Sequence, residues 1–147
     1  MPVIIGALRE GAPNETRVSL VPEVADKFAA SGAHVCLERG AGTRARFPDA
    51  NFKNVEWLDS SDAVLAKADV VLTVQPLTVA QIGQLKAGAV VIGFMQPHAR
   101  HAEIAALRER RRDGGPDTAF GRFEAAPRKA SQAHSDAEGC AVRRRRP

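Results

Sequence analysis

Short apolar runs alternate along the chain with stretches in which apolar residues recur every three or four positions. The runs are rich in Val and Ile and predict buried strands; they are VIIGAL (3–8), AHVCLE (33–38), ADVVLTV (68–74) and AVVIGFM (89–95). The periodic stretches predict helices; they are PEVADKFAASG (22–32), SSDAVLAKA (60–68), VAQIGQLKAG (79–88) and HAEIAALRERRR (101–112). This alternation predicts an α/β domain over residues 1–111, with a parallel, flavodoxin- or Rossmann-like sheet flanked by helices.

Several residues predict where the helices begin and end. Pro22 suits a first helical turn, and one of Ser60, Ser61 or Asp62 is expected to cap the second helix. Thr78 is expected to cap the third helix, while Gly32 and Gly88 suit helix ends that need a positive φ.

The apolar positions also predict which faces are buried. In the first helix one face is formed by Val24, Ala25, Phe28 and Ala29, and in the last helix by Ile104, Ala105 and Leu107. The run 89–95 is apolar throughout, as is typical of a strand whose two faces are both covered.

The loops after the strands are candidate functional loops, because ligands of parallel α/β sheets bind at the carboxyl ends of the strands. They are REGAPNETR, ERGAGTRARFP, QPLT and QPHARH. In PNETR, Asn14 and Thr16 are typical of a plain turn. Arg17 alternatively offers a guanidinium that could bind a carboxylate or a carboxamide. The residues alone leave both interpretations open.

The chain changes character near residue 111. Residues 112–147 are basic and rich in Gly, Pro and Arg, without helical or strand periodicity, and predict a disordered tail. The first 105 residues hold ten Lys or Arg and eleven Asp or Glu, whereas the remainder hold eleven and six. The net charge of +4 therefore arises in the tail, and with no Tyr and a single Trp the composition speaks against a nucleic-acid partner.

Other patterns are weak or negative. GAGTRA (40–45) departs from a dinucleotide fingerprint at Ala45 and is better interpreted as a tight turn. His98 and His101 lack further ligands and are interpreted as surface residues, so no metal is expected. Cys36 and Cys140 indicate neither a metal site nor a disulfide framework, which favours a reducing, cytoplasmic setting. We expect no leader peptide and no membrane span.

The run IIGALREGAPNETRVSLVPEVADKFAASGAHVCLERGAG resembles the opening of the alanine dehydrogenase and proton-translocating NAD(P) transhydrogenase alpha-subunit superfamily. Further matches follow in the family's order, through FPDANF, ADVVLTVQPL, LKAGAVVIGFMQPH and AALRER. The resemblance covers residues 3 to about 110 and implies that Glu15 and Arg17 line a cleft.

Two positions choose between the branches of this family. Where alanine dehydrogenases have a catalytic Lys and a catalytic His, this sequence has Gln75 and Gln96. A glutamine carries no charge and transfers no proton, so the resemblance implies the transhydrogenase branch, with both glutamines lining the cleft and no residue assigned a catalytic role.

In the family, NAD(H) binds between this domain and a Rossmann-type domain, whose V-x-G-x-G-x-x-G stretch is absent from these 147 residues. The stretch EAAPRKASQAHSDA (124–137) is similar to a family segment that reaches toward NAD, which makes Arg128, Gln132 and Asp136 candidate cofactor-binding residues. We nevertheless expect this chain to bind no cofactor and transfer no hydride by itself.

The resemblance also implies partners: a second alpha subunit, together with membrane and NADP-binding subunits that would hold the protein at the inner membrane face. Two alternatives stay open. One is an alanine dehydrogenase-like oxidoreductase fragment, and the other is a non-enzymatic binding module that uses its basic tail.

Overall fold

A computed structural model describes residues 1–113 of the chain, and within them five short strands form one parallel sheet. The strands are β1 (Ile4–Ala7), β2 (His34–Glu38), β3 (Glu56–Leu58), β4 (Val70–Leu72) and β5 (Val90–Ile92). The helices are α1 (Pro22–Ala30), α2 (Ser61–Lys67), α3 (Val79–Gln84) and α4 (His101–Asp113), and two 3₁₀ turns lie at Thr43–Ala45 and Asp49–Asn51. The predicted parallel α/β fold is confirmed. The predicted disorder of the tail concerns residues that, from 114 onward, lie outside the described ones.

The strand order is β3-β2-β1-β4-β5. From β1 the chain moves outward to β2 and β3, then returns to the other side of β1 with β4 and β5. The direction therefore changes between β1 and β4, which are hydrogen-bonded neighbours. The carboxyl ends of these two strands form the topological switch point of the sheet.

Two apolar layers sandwich the sheet. On one face α2, α3 and α4 contribute Leu65, Ile82 and Leu107 to a core cluster that includes Leu8 and Val71. Helix α2 approaches β1 closely, because a Cβ atom on Gly6 would lie 2.7 Å from side-chain atoms of both Val64 and Ala68. On the opposite face α1 and the segment around Phe52 pack on Ala7, Val35 and Leu37.

The helix ends follow the predicted chemistry in part. Ser60 caps α2 by accepting a hydrogen bond from the Ala63 N–H, and Thr78 caps α3 in a reciprocal arrangement with Gln81. Gly32 has the expected positive φ just past α1. Gly88 also has a positive φ, but α3 ends earlier, at Gln84, and Gly88 belongs to the turn that leads into β5.

The sequence prediction missed β3, which was expected to be part of a loop. This strand is only three residues long, and all of them are half-buried at an edge of the sheet, so it has neither an apolar run nor a clear alternation. Strands β4 and β5 are also shorter than predicted. The backbone N–H of Val74 donates to a side-chain carboxylate rather than to a neighbouring strand.

Three predictions of buried faces were wrong. Val24 is 36% exposed, since it lies about 100° around α1 from the buried Ala25. Ala105 is exposed, because a rotation of about 100° per residue places it nearly opposite the buried Leu107. In β5, Val91 packs on the core, whereas Ile92 is 52% exposed on the face that no described helix covers there. At this edge strand, an entirely apolar run therefore did not indicate that both faces of the strand are buried.

Candidate functional site

The loop after β1 holds an ion pair between Glu15 and Arg17. The Arg17 guanidinium donates to both carboxylate oxygens, with Nε 2.8 Å from Oε1 and Nη2 2.7 Å from Oε2. The Arg17 backbone N–H also donates to Oε1, at 3.0 Å. Asn14 has a φ of 62°, so the segment forms a turn. The same segment brings Arg17 beside Glu15. The carboxylate that Arg17 binds along one edge of its guanidinium is therefore that of the protein's own Glu15.

Two glutamines from neighbouring strands extend this pair. The amide of Gln75, which follows β4, donates from Nε2 to Glu15 Oε2 at 2.6 Å. The amide of Gln96, which follows β5, donates to Gln75 Oε1 at 3.1 Å. The structure thus joins Arg17, Glu15, Gln75 and Gln96 in one continuous hydrogen-bonded chain. That these residues line a cofactor cleft stays a prediction.

The charges of this chain are confined to the ion pair. Glu15 is only 7% exposed, and its pKa lies far below the usual range, first because of the Arg17 side chain and then because of the Gln75 amide. The same pair raises the pKa of Arg17. The two remaining members are uncharged amides. The arrangement can orient a polar ligand, but it offers no group that exchanges a proton near neutral pH.

Glu10 is a buried carboxylate that the sequence analysis did not single out. It is 7% exposed and accepts hydrogen bonds from the backbone N–H groups of Val74, at 2.5 Å, and Gln75, at 3.1 Å. The hydroxyl of Thr73 lies 3.3 Å from Glu10 Oε1 and donates to the Gln75 carbonyl at 2.6 Å. These contacts hold the loop after β4 against the loop after β1.

Arg44 is a second residue that the sequence analysis missed. Its Nη1 lies 3.3 Å from the carbonyl oxygen of Ala12 and 3.5 Å from those of Glu10 and Glu15. Arg44 belongs to GAGTRA, which is a tight turn as predicted and includes the 3₁₀ turn at Thr43–Ala45. The only indication of this contact in the sequence was that Arg44 lies in the loop after β2, the strand that pairs with β1.

An open cavity of about 420 Å³ lies at the carboxyl ends of β1 and β4, beside the start of α4. Its polar lining includes Glu10, Thr73, Gln75, Thr78, Arg100 and Glu103. Of the predicted cleft residues, Gln75 alone is part of this lining. Arg100 and Glu103 pair at 3.2 Å.

The remaining predictions concern metals, cysteines and the tail. His98 and His101 are exposed, and within residues 1–113 no three His, Cys, Asp or Glu side chains are placed to hold a metal ion. Cys36 is a buried free thiol whose pKa is raised to about 11 by burial. Arg128, Gln132, Asp136 and Cys140 lie outside the described residues. In the described portion of the chain, no helix has the length and apolar character needed to cross a bilayer.

Comparison with known proteins identifies the family. The sequence model of one protein family, the alanine dehydrogenase/PNT N-terminal domain, matches residues 6–114. The chain belongs to this family. The resemblance expected from the sequence is thereby confirmed.

Individual relatives come from both branches of the family. NAD(P) transhydrogenase subunit alpha of Cereibacter sphaeroides is 36% identical over 105 residues, which are 70% of this chain and 20% of the relative. Alanine dehydrogenase of Mycobacterium tuberculosis is 30% identical over 105 residues, covering 70% of this chain and 28% of that protein.

A solved structure supports the same relation. The transhydrogenase of Sinorhizobium meliloti superposes with a TM-score of 0.65 at 32% identity, covering 71% of this chain and 31% of that one. The chain therefore spans less than a third of the length of these relatives.

Proposed function

We propose that the chain is the N-terminal region of an NAD(P) transhydrogenase alpha subunit and forms one wall of a nucleotide cleft that a second domain completes. The observation that carries this proposal is the Gln96–Gln75–Glu15 chain. Its two glutamines are uncharged amides, and the family resemblance implies that they stand where alanine dehydrogenases have the catalytic Lys and His.

The reactions of the two branches differ in whether a side chain of this domain must accept a proton. Oxidation of an amino acid needs a group that accepts a proton and a cation that holds the substrate. Neither glutamine performs these tasks, and Glu15 stays ionised against Arg17 because its pKa is far below the usual range. Hydride transfer between two nucleotides needs no such group from this domain, so neutral, well-oriented amides suit it.

The described residues do not fit the phosphates of a nucleotide at the switch point. In open parallel α/β sheets the ligand binds in the crevice at the switch point, outside the carboxyl ends of the strands. Here the backbone donors of Val74 and Gln75 are already bound to Glu10. Phosphate binding is accordingly assigned to the second domain, and the amides of this one would face another portion of NAD(H).

The same reasoning extends to the whole chain. None of the 147 residues forms the family's glycine-rich nucleotide motif. We therefore propose that this chain alone binds no NAD(H) and that its activity requires the partners expected from the family, at the cytoplasmic side of a membrane complex. Arg128, Gln132 and Asp136 remain candidates for contact with the cofactor. Isothermal titration of the chain with NADH is expected to give no binding, and micromolar affinity would contradict this aspect of the proposal.

A chimera tests which branch the domain serves. Residues 6–110 of this chain would replace the matching segment of the Cereibacter sphaeroides subunit, assayed with its partner subunits. We expect hydride exchange between NADH and an NADP analogue, and no NADH formation from NAD and alanine. The alanine dehydrogenase of Mycobacterium tuberculosis serves as the positive control for the second assay. Alanine-dependent NADH formation by the chimera would show that the domain belongs to the other branch.

A further inference from the structure

The carboxylate of Glu10 lies in the wall of the switch-point crevice and occupies the backbone N–H donors there. Glu10 comes three residues after β1, and its partners Val74 and Gln75 come two and three residues after β4. Successive backbone N–H groups that point to one spot can bind an anionic ligand group. In this chain the anion belongs to the protein itself.

The contacts of Glu10 also determine where Gln75 lies. Glu10 holds the Gln75 N–H, the Thr73 hydroxyl holds the Gln75 carbonyl, and Pro76 restricts the backbone of the residue before it. With its backbone held on both sides, Gln75 directs its amide to Glu15 on one side and Gln96 on the other. Glu10 is therefore one of the groups that hold the backbone from which the Gln75 amide extends.

We propose that Glu10 is a positioning residue that acts as the resident anion of the switch-point crevice. It keeps external phosphate and carboxylate groups out of the crevice, and it holds Gln75 in line with Glu15 and Gln96. The significance of that alignment for a cofactor rests on the proposed function. The occupancy of the crevice and the alignment of Gln75 do not rest on the proposed function. Both are therefore measured on the 147-residue chain without any nucleotide.

The first test compares Glu10→Gln with Glu38→Gln. Glu38 is a matched control, since its carboxylate also accepts a backbone N–H at this end of the sheet, that of Arg9 at 2.9 Å, but it does not contact Gln75. The readout is the pKa of the Glu15 carboxyl group, followed by carbon-13 NMR. We expect it to rise in Glu10→Gln, because a displaced Gln75 no longer donates to Glu15, and to stay unchanged in Glu38→Gln.

A purely structural role gives a different result. In that case Glu10→Gln would lower the melting temperature while the pKa of Glu15 stayed at its original value, and the positioning role would be overturned. Nuclear magnetic resonance shifts of the Gln75 side-chain amide protons provide an independent check, because these protons respond directly to loss of the hydrogen bond to Glu15.

The second test asks whether the crevice accepts an external anion once Glu10 is removed. In Glu10→Ala, 0.5 M sodium acetate is expected to raise the melting temperature by about 4 °C more than 0.5 M sodium chloride does, if acetate binds the vacated donors with a dissociation constant of about 0.1 M. The wild type and Glu38→Ala should show no difference between the two salts. If Glu10→Ala is unfolded, recovery of its circular dichroism in acetate replaces the melting readout. Absence of an acetate-specific effect in Glu10→Ala, or an equal effect in the wild type, would overturn the proposal.

Discussion

The two ends of the parallel sheet both bind carboxylates, but they do so with different partners. At the carboxyl end, Glu10 and Glu15 are each 7% exposed and are held largely by backbone N–H groups, one amide and one arginine. At the amino end, the carboxylates of Glu56 and Asp69 are about a third exposed and are held mainly by the side chains of basic residues.

The amino-end contacts are ion pairs at the protein surface. Lys67 Nζ lies 2.6 Å from both oxygens of Glu56, and His34 Nε2 lies 2.6 Å from one of them. His34 and then Lys67 lower the pKa of Glu56. Asp69 accepts from Lys86 Nζ, at 2.5 Å, and from the Ile4 N–H, and these contacts lower its pKa in that order.

This difference shows which end of the sheet has the more firmly fixed side chains. Exposed ion pairs can reorganise and are screened by salt, so their geometry is loosely fixed and their contribution to stability is small. Buried carboxylates require their partners at defined positions, because an unpaired buried donor or acceptor is strongly destabilising. The carboxyl end is therefore preorganised, whereas the amino end fastens β2, β3 and α2 together.

The largest expected difference is between removal of a carboxylate at each end. We expect Glu10→Ala to lower the free energy of unfolding by about 3 kcal/mol, because two backbone N–H groups lose their acceptor in a buried loop. Glu56→Ala should lower it by about 1 kcal/mol or less, as is usual for surface pairs. Urea denaturation followed by circular dichroism measures both values.

The control for this comparison is Glu38→Ala, which removes a carboxylate of intermediate burial at the same end as Glu10. Its expected loss lies between the other two. Equal losses in Glu10→Ala and Glu56→Ala would mean that the two ends do not differ in the way their contacts suggest.

The sequence predicted the fold class because the strong signals were local. Central strands such as β1 and β2 are apolar runs, and helix caps such as Ser60 and Thr78 act within four residues. Strand β3 and the exposed Ile92 were missed because their environment depends on lying at the two edges of the sheet. An edge position is set by the strand order, which no local pattern contains.

The site was predicted only as far as the family resemblance reached. Gln75 and Gln96 were singled out by the residues they replace, and the structure brings them into contact. Glu10 is 64 residues from Val74 in the chain, so their contact appears only once β1 and β4 are adjacent. Arg44 likewise binds the carbonyl of Ala12, 32 residues away. Contacts between the loops of different strands follow from topology and could not be inferred from spacing.

A smaller effect is expected when the cation at the carboxyl end is removed. Arg17→Met should raise the pKa of Glu15 toward the ordinary value of about 4.3, since Arg17 is the largest cause of its lowering. The folded-state pKa of Glu15 lies below its unfolded-state value. Its stabilising contribution is thus present above about pH 4.3 and is lost as the pH falls toward the folded-state pKa. Arg17→Met should therefore flatten the loss of stability below about pH 4.3, measured by urea denaturation at several pH values.

Arg39→Met is the matched control for this change. Arg39 pairs with Asp59 at 2.7 Å, but both side chains are more than half exposed. Its removal should leave the acid dependence unaltered. A similar flattening in both variants would show that Glu15 is no more strongly coupled to its arginine than a surface carboxylate is.

The smallest effect is expected from removing a cation at the amino end. Lys86→Met leaves Asp69 with the Ile4 N–H as a partner, so the loss should be about 0.5 kcal/mol at low ionic strength. In 1 M sodium chloride the Debye length falls to about 3 Å, and this loss should nearly disappear. The loss in Glu10→Ala should persist in the same salt, because chloride does not supply the acceptor that the buried N–H groups have lost. The free energy of unfolding of both variants, measured at the two salt concentrations, distinguishes screened ion pairs at the amino end from hydrogen bonds at the carboxyl end. A salt-insensitive loss in Lys86→Met would mean that the amino end is as rigidly organised as the carboxyl end.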